Sequence, residues 1–407
     1  MPARRLYMDN AATSFPKPPT VLEAMMRYAT ELGASPGRGA YAEAREAGEL
    51  MLECRRRICR LIGADVSKPE HIIFTLNTTD ALNLAIRGIL LHPTCRARKS
   101  LGHIITTWLD HNSVLRPYNA LADQIGVEQT RVPCDPQTGL VDPQDIRRAI
   151  RPDTCLIAVV HGSNVTGTLQ PVREIGCIAR EADIPFIVDA AQSLGHVPID
   201  VEADRIDLLA FPGHKGLLGP LGTGGLYIRP GIEQRMVTIR EGGTGSISEH
   251  DTQPDFLPDR FEPGSHNAIG IIGLSEGVKW ILDRGVDNLW SHEQDLIRAF
   301  LDALEEGECP GLTLYGPQGL KHRCGVFSVR VEGFDQPQAL SDVLERDYGI
   351  LTRSGIHCAP LAHRTFGTHA LGGMTRFSFG PFLTAADVRY ACDALGHICH
   401  EHAAAKV

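Results

Sequence analysis

The sequence predicts an α/β protein: a mainly parallel, seven-stranded sheet in a large domain, followed by a smaller α+β domain at the C-terminal end. Three observations carry this. From about residue 70, short β-branched runs alternate with helical patterns, the mark of βαβ units whose crossover helices bury a parallel sheet on both faces. The segment 240–265 is rich in Gly, Ser, Asp and Pro and reads as a long loop or domain connector. Beyond it, a strand–helix–strand pattern starts afresh.

Strands are predicted at 71–75, 103–107, 128–132, 155–161, 185–189, 207–211 and 225–228, with helices at 80–90, 143–150 and 172–182. After the connector come helices at 268–284 and 288–306, then a strand, a helix and a strand at 325–331, 337–348 and 374–379. The 407 residues suffice for two or three compact units. The division expected is an N-terminal segment over 1–15 packing near the small domain, a large domain over 16–262 and a small domain over 263–407.

Composition excludes several classes of function. No apolar run approaches the roughly 18 residues that span a bilayer, and the two arginines near the start precede no apolar stretch of a signal peptide. A net charge of -9 argues against a general nucleic-acid binder, and Arg55, Arg56, Arg57 and Arg60 read as the solvated face of a helix. Eleven cysteines without framework spacing fit reduced thiols in a cytoplasm. There is no Cys-x-x-Cys pair, and Cys54 and Cys59 share a helix without a second pair. His397, Cys399, His400 and His402 are metal-ligating types, but they read as a polar helix end. No metal is expected.

The chemistry concentrates at one sheet edge. Open α/β sheets bind ligands at the carboxyl ends of their strands. Asp189 ends one predicted strand, and Lys215 lies four residues past Phe211, the end of another. If those strands are parallel neighbours, roughly 5 Å apart, both side chains emerge on the same edge. That pair suits pyridoxal phosphate (PLP). A lysine amine carries the cofactor as a Schiff base, and a carboxylate keeps the pyridine nitrogen protonated so that the ring acts as an electron sink. The plainer alternative is a structural ion pair. Gly213 and Gly216, flanking Lys215, weigh against it because they allow close backbone approach. The segment matches neither nucleotide-binding glycine motif. Thr78 and Thr79 open a helix after a strand, which suits a phosphate but also an ordinary N-cap.

An ordered set of motifs then runs through nearly the whole chain. It begins with Tyr7-Met8-Asp9-Asn10-Ala11-Ala12-Thr13 and Pro36-Gly37-Arg38-Gly39, and continues through Thr78-Thr79, Asp110-His111 and Ser163-Asn164-Val165-Thr166-Gly167. Asp189-Ala190-Ala191-Gln192-Ser193, Gly213-His214-Lys215 and Phe261-Glu262-Pro263-Gly264-Ser265 follow. Arg353-Ser354-Gly355-Ile356-His357-Cys358 and Thr375-Arg376-Phe377-Ser378 close it. In this set the chain resembles the cysteine desulfurase and selenocysteine lyase group of class V aminotransferase-like, fold-type I PLP enzymes.

The resemblance implies roles. His111 would stack on the pyridine ring and move protons, Gln192 would bond the phenolic oxygen, and Asn164 would contact cofactor or substrate. Thr78, Thr79 and His214 would hold the phosphate, with Ser265 reaching it from the second subunit of a homodimer. Arg376 would clamp the substrate α-carboxylate, where a planar bidentate donor fits best, and Arg353 would assist it or order the loop that follows. Cys358 would attack the substrate's sulfur and become a persulfide, which needs a nucleophilic thiolate on an approachable segment. Pro360 is expected to limit helix formation just after it.

The expected activity is conversion of L-cysteine to L-alanine, with L-selenocysteine a rival substrate. Transamination or epimerisation, or a non-enzymatic PLP-holding scaffold, are the other readings. Departures bear on this. Pro212 stands where many relatives carry a phosphate-binding Ser or Thr, Asp110 replaces the more usual Glu, and Asn112 stands where some relatives have a second histidine. The short link from Arg353 to Cys358 resembles the branch whose persulfide is shielded and whose turnover depends on a sulfur-acceptor protein.

Overall fold

The computed structural model describes residues 5–37, 39–96 and 102–404; Arg38 of the 36–39 motif lies outside them. In chain order the elements are β1 (Leu6–Tyr7), α1 (Pro19–Arg27), α2 (Ala42–Leu61), β2 (Ile72–Thr75), α3 (Thr78–Leu90), α4 (Pro93–Arg96), β3 (His103–Thr107), α5 (Asn112–Ile125), β4 (Glu128–Val132) and α6 (Pro143–Ala149). Then come β5 (Thr154–Val160), α7 (Val172–Glu181), β6 (Phe186–Asp189), β7 (Leu208–Pro212) and β8 (Gly224–Ile228). After the connector follow α8 (Ala268–Arg284), α9 (Val286–Glu306), β9 (Leu312–Tyr315), β10 (Val326–Val331), α10 (Pro337–Tyr348) and β11 (Ile350–Leu351). Last are β12 (Arg353–Gly355), α11 (Pro360–Thr365), β13 (Met374–Ser378) and α12 (Ala385–Ala404).

The large sheet has seven strands in the order β2-β8-β7-β6-β5-β3-β4. All neighbours are parallel except β8, which runs antiparallel to both β2 and β7. Its inner strands β5, β6 and β7 are buried on both faces because both faces are covered, while the edge strand β4 is half-exposed. Phe186, Val188, Leu209 and Phe211 enter one buried cluster, while Ile187, Leu208 and Ala210 enter the other. That is the two-residue period of a strand. Helices α2, α7 and α8 pack on the first side; α3 and α5 pack on the second.

The smaller sheet is antiparallel, in the order β12-β13-β10-β9. Its core holds Phe300, Phe327 and Phe377, with the first two ring centroids 4.2 Å apart. β1 pairs in parallel with β11 as a separate two-stranded sheet, and an Asp9–Ser378 bridge joins the N-terminal segment to β13 of the smaller sheet. The expected division at residue 263 falls before α8, yet Ile271, Leu274, Val278 and Ile281 of that helix lie in the large sheet's core.

Three expectations need correction. Arg55 is not on a solvated face. It is buried and forks onto Glu262 with bonds of 2.8 and 2.7 Å, because the inward face of α2 meets the segment before α8. Pro360 does not limit a helix but opens α11 at its first turn, where the missing N–H costs nothing. Cys95 and Cys155 are joined as a disulfide with Cα atoms 5.7 Å apart, so the reading of all eleven cysteines as reduced fails at these two. Their 60-residue separation gave no spacing signal. Among the described residues no helix is long and apolar enough to cross a membrane.

Candidate active site

The register of β6 and β7 sets Val188 beside Leu209 and Asp189 beside Ala210. Asp189 therefore stands at the carboxyl edge of the sheet, and the chain leaving β7 turns back there with Lys215. The turn is tight. Gly213 N–H donates to Thr223 O, and Gly219 N–H donates to Gly213 O, both at 2.8 Å. A Cβ on Gly216 would lie 2.3 Å from the carbonyl oxygen of Leu194, so only glycine lets the two loops approach.

Asp189 is 2% exposed and accepts one hydrogen bond, from Ala191 N–H at 3.0 Å. Burial raises its pKa, and nearby Lys215 only partly opposes this. Burial also pushes the half-buried Lys215 down to about 8, against the pull of Asp189, and Arg376 and Arg353 push the same way. An amine so tuned is available as a nucleophile and proton acceptor near neutrality.

Across the cleft α3 begins at Thr78. Its N-cap is Asn77, whose side chain accepts from Asp80 N–H at 3.0 Å, leaving Thr78 and Thr79 at the positive end of the helix. Thr79 Oγ1 bonds Ser113 Oγ at 2.8 Å. Ser113 N–H donates to His111 Nδ1 at 3.0 Å, so Nδ1 is the acceptor and Nε2 carries the proton. Burial, then Lys215 and three arginines, hold His111 down to about 4, which keeps the ring neutral at physiological pH.

Together Thr78, Thr79, His111, Asn164, Asp189, Gln192, His214 and Lys215 line one cleft with ≈ 500 Å³ of empty space. Gln192 donates through Nε2 to Ala11 O at 2.9 Å. Asn164 donates to His357 O at 2.6 Å, and its Oδ1 is buried with no partner. His214 Nδ1 is likewise orphaned. Its backbone oxygen, by contrast, accepts from Ser14 N–H at 2.9 Å and Lys17 Nζ at 3.0 Å.

Arg376, on β13, is 1% exposed. It donates to Asp9 Oδ1 at 2.7 Å and Asn164 O at 3.0 Å, while its Nε has no partner. Arg353 lies opposite it across β12 and β13 and is exposed. Cys358 is exposed and follows His357; both have positive φ, 58° and 51°. Two successive non-glycine residues in the left-handed region are strained, and such strain persists only where neighbours enforce it. Here Asn112 N–H holds Cys358 O at 2.8 Å, and Asn164 holds His357 O. Cys358 shares the wall of an adjoining groove with His111 and Thr79.

Arg376, Arg353 and Cys358 do not line this cleft, Arg376 reaching it through Asn164 and Cys358 through the adjoining groove, and Ser265 is not brought to it either. Ser265 lines another, of ≈ 1410 Å³, with Arg55, Glu262 and His266. Sequence reasoning missed Asp9 as the partner of Arg376, although it lies in the first quoted motif; no spacing rule links residues so far apart. It also treated Asp110 only as a departure. Asp110 is fully buried, accepts from Thr107 N–H at 2.5 Å and Val160 N–H at 2.8 Å, and joins the ends of β3 and β5. Burial raises its pKa to about 7.

The residues fit PLP. The donors at the start of α3 suit its phosphate, Asp189 suits its ring nitrogen, Lys215 suits its aldehyde, and the orphaned Asn164 Oδ1 and His214 Nδ1 lack only a ligand to bond. An open α/β sheet with a lysine and a carboxylate at its carboxyl edge defines a class of PLP enzyme, and the family model for class-V aminotransferases matches residues 6–390. The chain belongs to the class-V aminotransferase family. Within it the chain stands in the cysteine desulfurase group. It is 33% identical over 398 residues to the probable cysteine desulfurase of Methanothermobacter thermautotrophicus, covering 97% of this chain and 94% of that one. It is 35% identical over 391 residues to that of Pyrococcus abyssi, covering 94% and 91%. The apo structure of cysteine desulfurase from Thermococcus onnurineus matches with a TM-score of 0.87 at 33% identity, covering 98% and 95%.

Proposed function

We propose that this chain is a PLP-dependent cysteine desulfurase that converts L-cysteine to L-alanine and takes the sulfur onto Cys358. The observation that carries the reading is the position of Cys358, on a strained loop in a groove wall shared with His111 and Thr79, beside the Lys215 cleft.

PLP would be held covalently by Lys215, at its ring nitrogen by Asp189 and at its phosphate by Thr78, Thr79 and His214. When bound, it supplies an electron sink for pairs released from the substrate carbons. Arg376 binds the substrate α-carboxylate through the guanidinium edge not engaged by Asp9, and Arg353 adds charge beside it. Lys215 Nζ, with a pKa near 8, moves the Cα proton. Cys358 Sγ bonds to the substrate's sulfur as the Cβ–S bond breaks, and a pair and a proton end on Cβ of alanine. The proton that reaches Cβ is the one Cys358 Sγ–H gives up on becoming the nucleophile. His111, neutral with its proton on Nε2, offers a hydrogen-bond donor beside the reacting atoms without adding charge to the cleft.

Ser265 lines a different cleft from Thr78, Thr79 and Lys215, which supports the reading of a homodimer in which each copy completes the phosphate site of the other.

The test is Cys358→Ser with L-cysteine. A serine hydroxyl is a poor nucleophile toward sulfur at neutral pH. The variant should still bind L-cysteine and change the cofactor's absorbance, yet release little alanine and carry no persulfide by mass spectrometry. Near-wild-type alanine release would remove the persulfide reading.

A further inference from the structure

A groove of ≈ 750 Å³ runs outward between α3 and α5 with Cys358 in its wall. Its other lining residues include Arg87 of α3 and Arg116 of α5, and none of the described lining residues is Asp or Glu. Arg87 spends its Nε–H on Asn83 Oδ1 at 3.1 Å, and the outer edge of its guanidinium meets no carboxylate among the described residues. Arg116 is exposed and has no hydrogen bond or carboxylate partner among the described residues. His111, neutral at pH 7, adds no charge.

On a chain of net charge -9, two guanidiniums without carboxylates beside a nucleophilic cysteine form a local inversion of sign. Such an inversion concentrates anions where the bulk of the surface repels them. The substrate's carboxylate is assigned to Arg376, which does not line this groove. The groove pair is therefore free for a second anion, and the groove's size suits a small molecule.

We propose that this groove receives a small anionic thiol, one bearing one or more carboxylates, which takes the sulfur from Cys358. The proposal rests on the desulfurase reading. The acceptor's thiolate attacks the outer sulfur of the Cys358 persulfide, forming a new S–S bond. The old S–S bond breaks, Cys358 leaves with the electron pair as a thiolate, and the acceptor departs as its own persulfide. The acceptor's carboxylates seat on Arg87 and Arg116.

The experiment uses the PLP-loaded protein. One equivalent of L-cysteine loads the sulfur, and intact-mass measurement gives the persulfide fraction on Cys358. Discharge of that fraction is then timed with mercaptosuccinate, 2-mercaptoethanol and cysteamine, each rate being expressed per thiolate. Mercaptosuccinate should be fastest, and its advantage should shrink in 0.5 M salt. The double variant Arg87→Gln, Arg116→Gln should slow it about fivefold or more, the scale of two exposed ion pairs, while the neutral thiol keeps its rate and so reports an intact fold. Rates blind to acceptor charge would overturn the proposal. So would a variant that slows all three thiols alike, because the arginines would then act on Cys358 itself. Absence of any persulfide on Cys358 would instead remove the desulfurase reading, and this proposal with it.

Discussion

Two buried clusters of opposite charge lie in the large domain, and they are built differently. Around Arg55 and Glu262 every group is answered. The guanidinium forks onto the carboxylate, Glu262 also accepts Phe74 N–H at 2.6 Å, Arg55 reaches Ile72 O, and the Phe74 ring lies 4.2 Å beneath the guanidinium. Around Asp189 and Lys215 the reverse holds. Asp189 keeps one hydrogen bond, its pKa rises, that of Lys215 falls to about 8, and Asn164 Oδ1 and His214 Nδ1 have nothing to bond. A saturated buried pair locks a fold. An unsaturated one, with charges its surroundings resist, is a site made ready for a ligand.

The largest expected effects test whether the two clusters have these separate jobs. Lys215→Ala should cut alanine formation by about 10³-fold or more, the upper range for a lost proton-transfer group, with little change in urea midpoint. Borohydride should no longer fix PLP to the protein. Continued fixation at the same site would mean that another lysine holds it. Arg55→Ala should do the opposite and destabilise the fold by about 3–5 kcal/mol, because Glu262 is left buried and unpaired. Removing both charges with Arg55→Met and Glu262→Leu should recover much of that loss. Urea melts that place Arg55→Ala within 1 kcal/mol of wild type would show that the cluster is not a lock.

A smaller effect is expected where the two kinds of cluster meet. Arg376 is half saturated: Asp9 and Asn164 O take one side, and Nε is open. Arg376→Lys keeps the charge but loses the fork, so kcat/KM for L-cysteine should fall roughly 10- to 100-fold, the worth of a charge-assisted hydrogen bond. An unchanged kcat/KM would show that the carboxylate binds elsewhere.

The difference between the clusters also explains what could be read in advance. β3 and β4 were legible to the residue, and the other large-sheet strands nearly so. The inner strands, covered on both faces, read as β-branched and apolar runs, whereas β4 at the sheet edge is polar and half-exposed and shows only Thr130 and Val132 as β-branched residues. Asp189 and Lys215 were legible because sheet topology alone brings strand ends together. The partnership of Arg55 with Glu262 spans 207 residues, and that of Arg376 with Asp9 spans 367. Nothing local in the sequence encodes such contacts, so Arg55 looked like one more arginine on a basic helix. Pro360 misled for a different reason: a proline that breaks a helix interior is welcome at its first turn, and which of these it does depends on where the helix starts.

The smallest effect separates the clusters most cleanly, because it concerns the sign of one carboxylate's contribution. Burial raises the pKa of Asp189 above the ordinary carboxylate value, so the folded state resists the ionised form. Above that value, ionised Asp189 therefore costs the cofactor-free fold stability, a cost that fades as pH falls and the carboxyl becomes neutral in both folded and unfolded chains. Asp189→Asn removes the charge at similar shape. Without PLP the variant should be the more stable protein at pH 8, and the two melting curves should converge toward pH 4. With PLP bound the order should invert if Asp189 holds the ring nitrogen as proposed, because the variant lacks that carboxylate. The amine offers a second reading of the same change. Asp189 raises the pKa of Lys215, so its removal should move the midpoint of the pH dependence of PLP uptake below about 8. Suppose instead that the cofactor-free variant is less stable than wild type at pH 8. Asp189 and Lys215 would then be a structural ion pair of the Arg55 kind, and the contrast between the two clusters would be one of degree only.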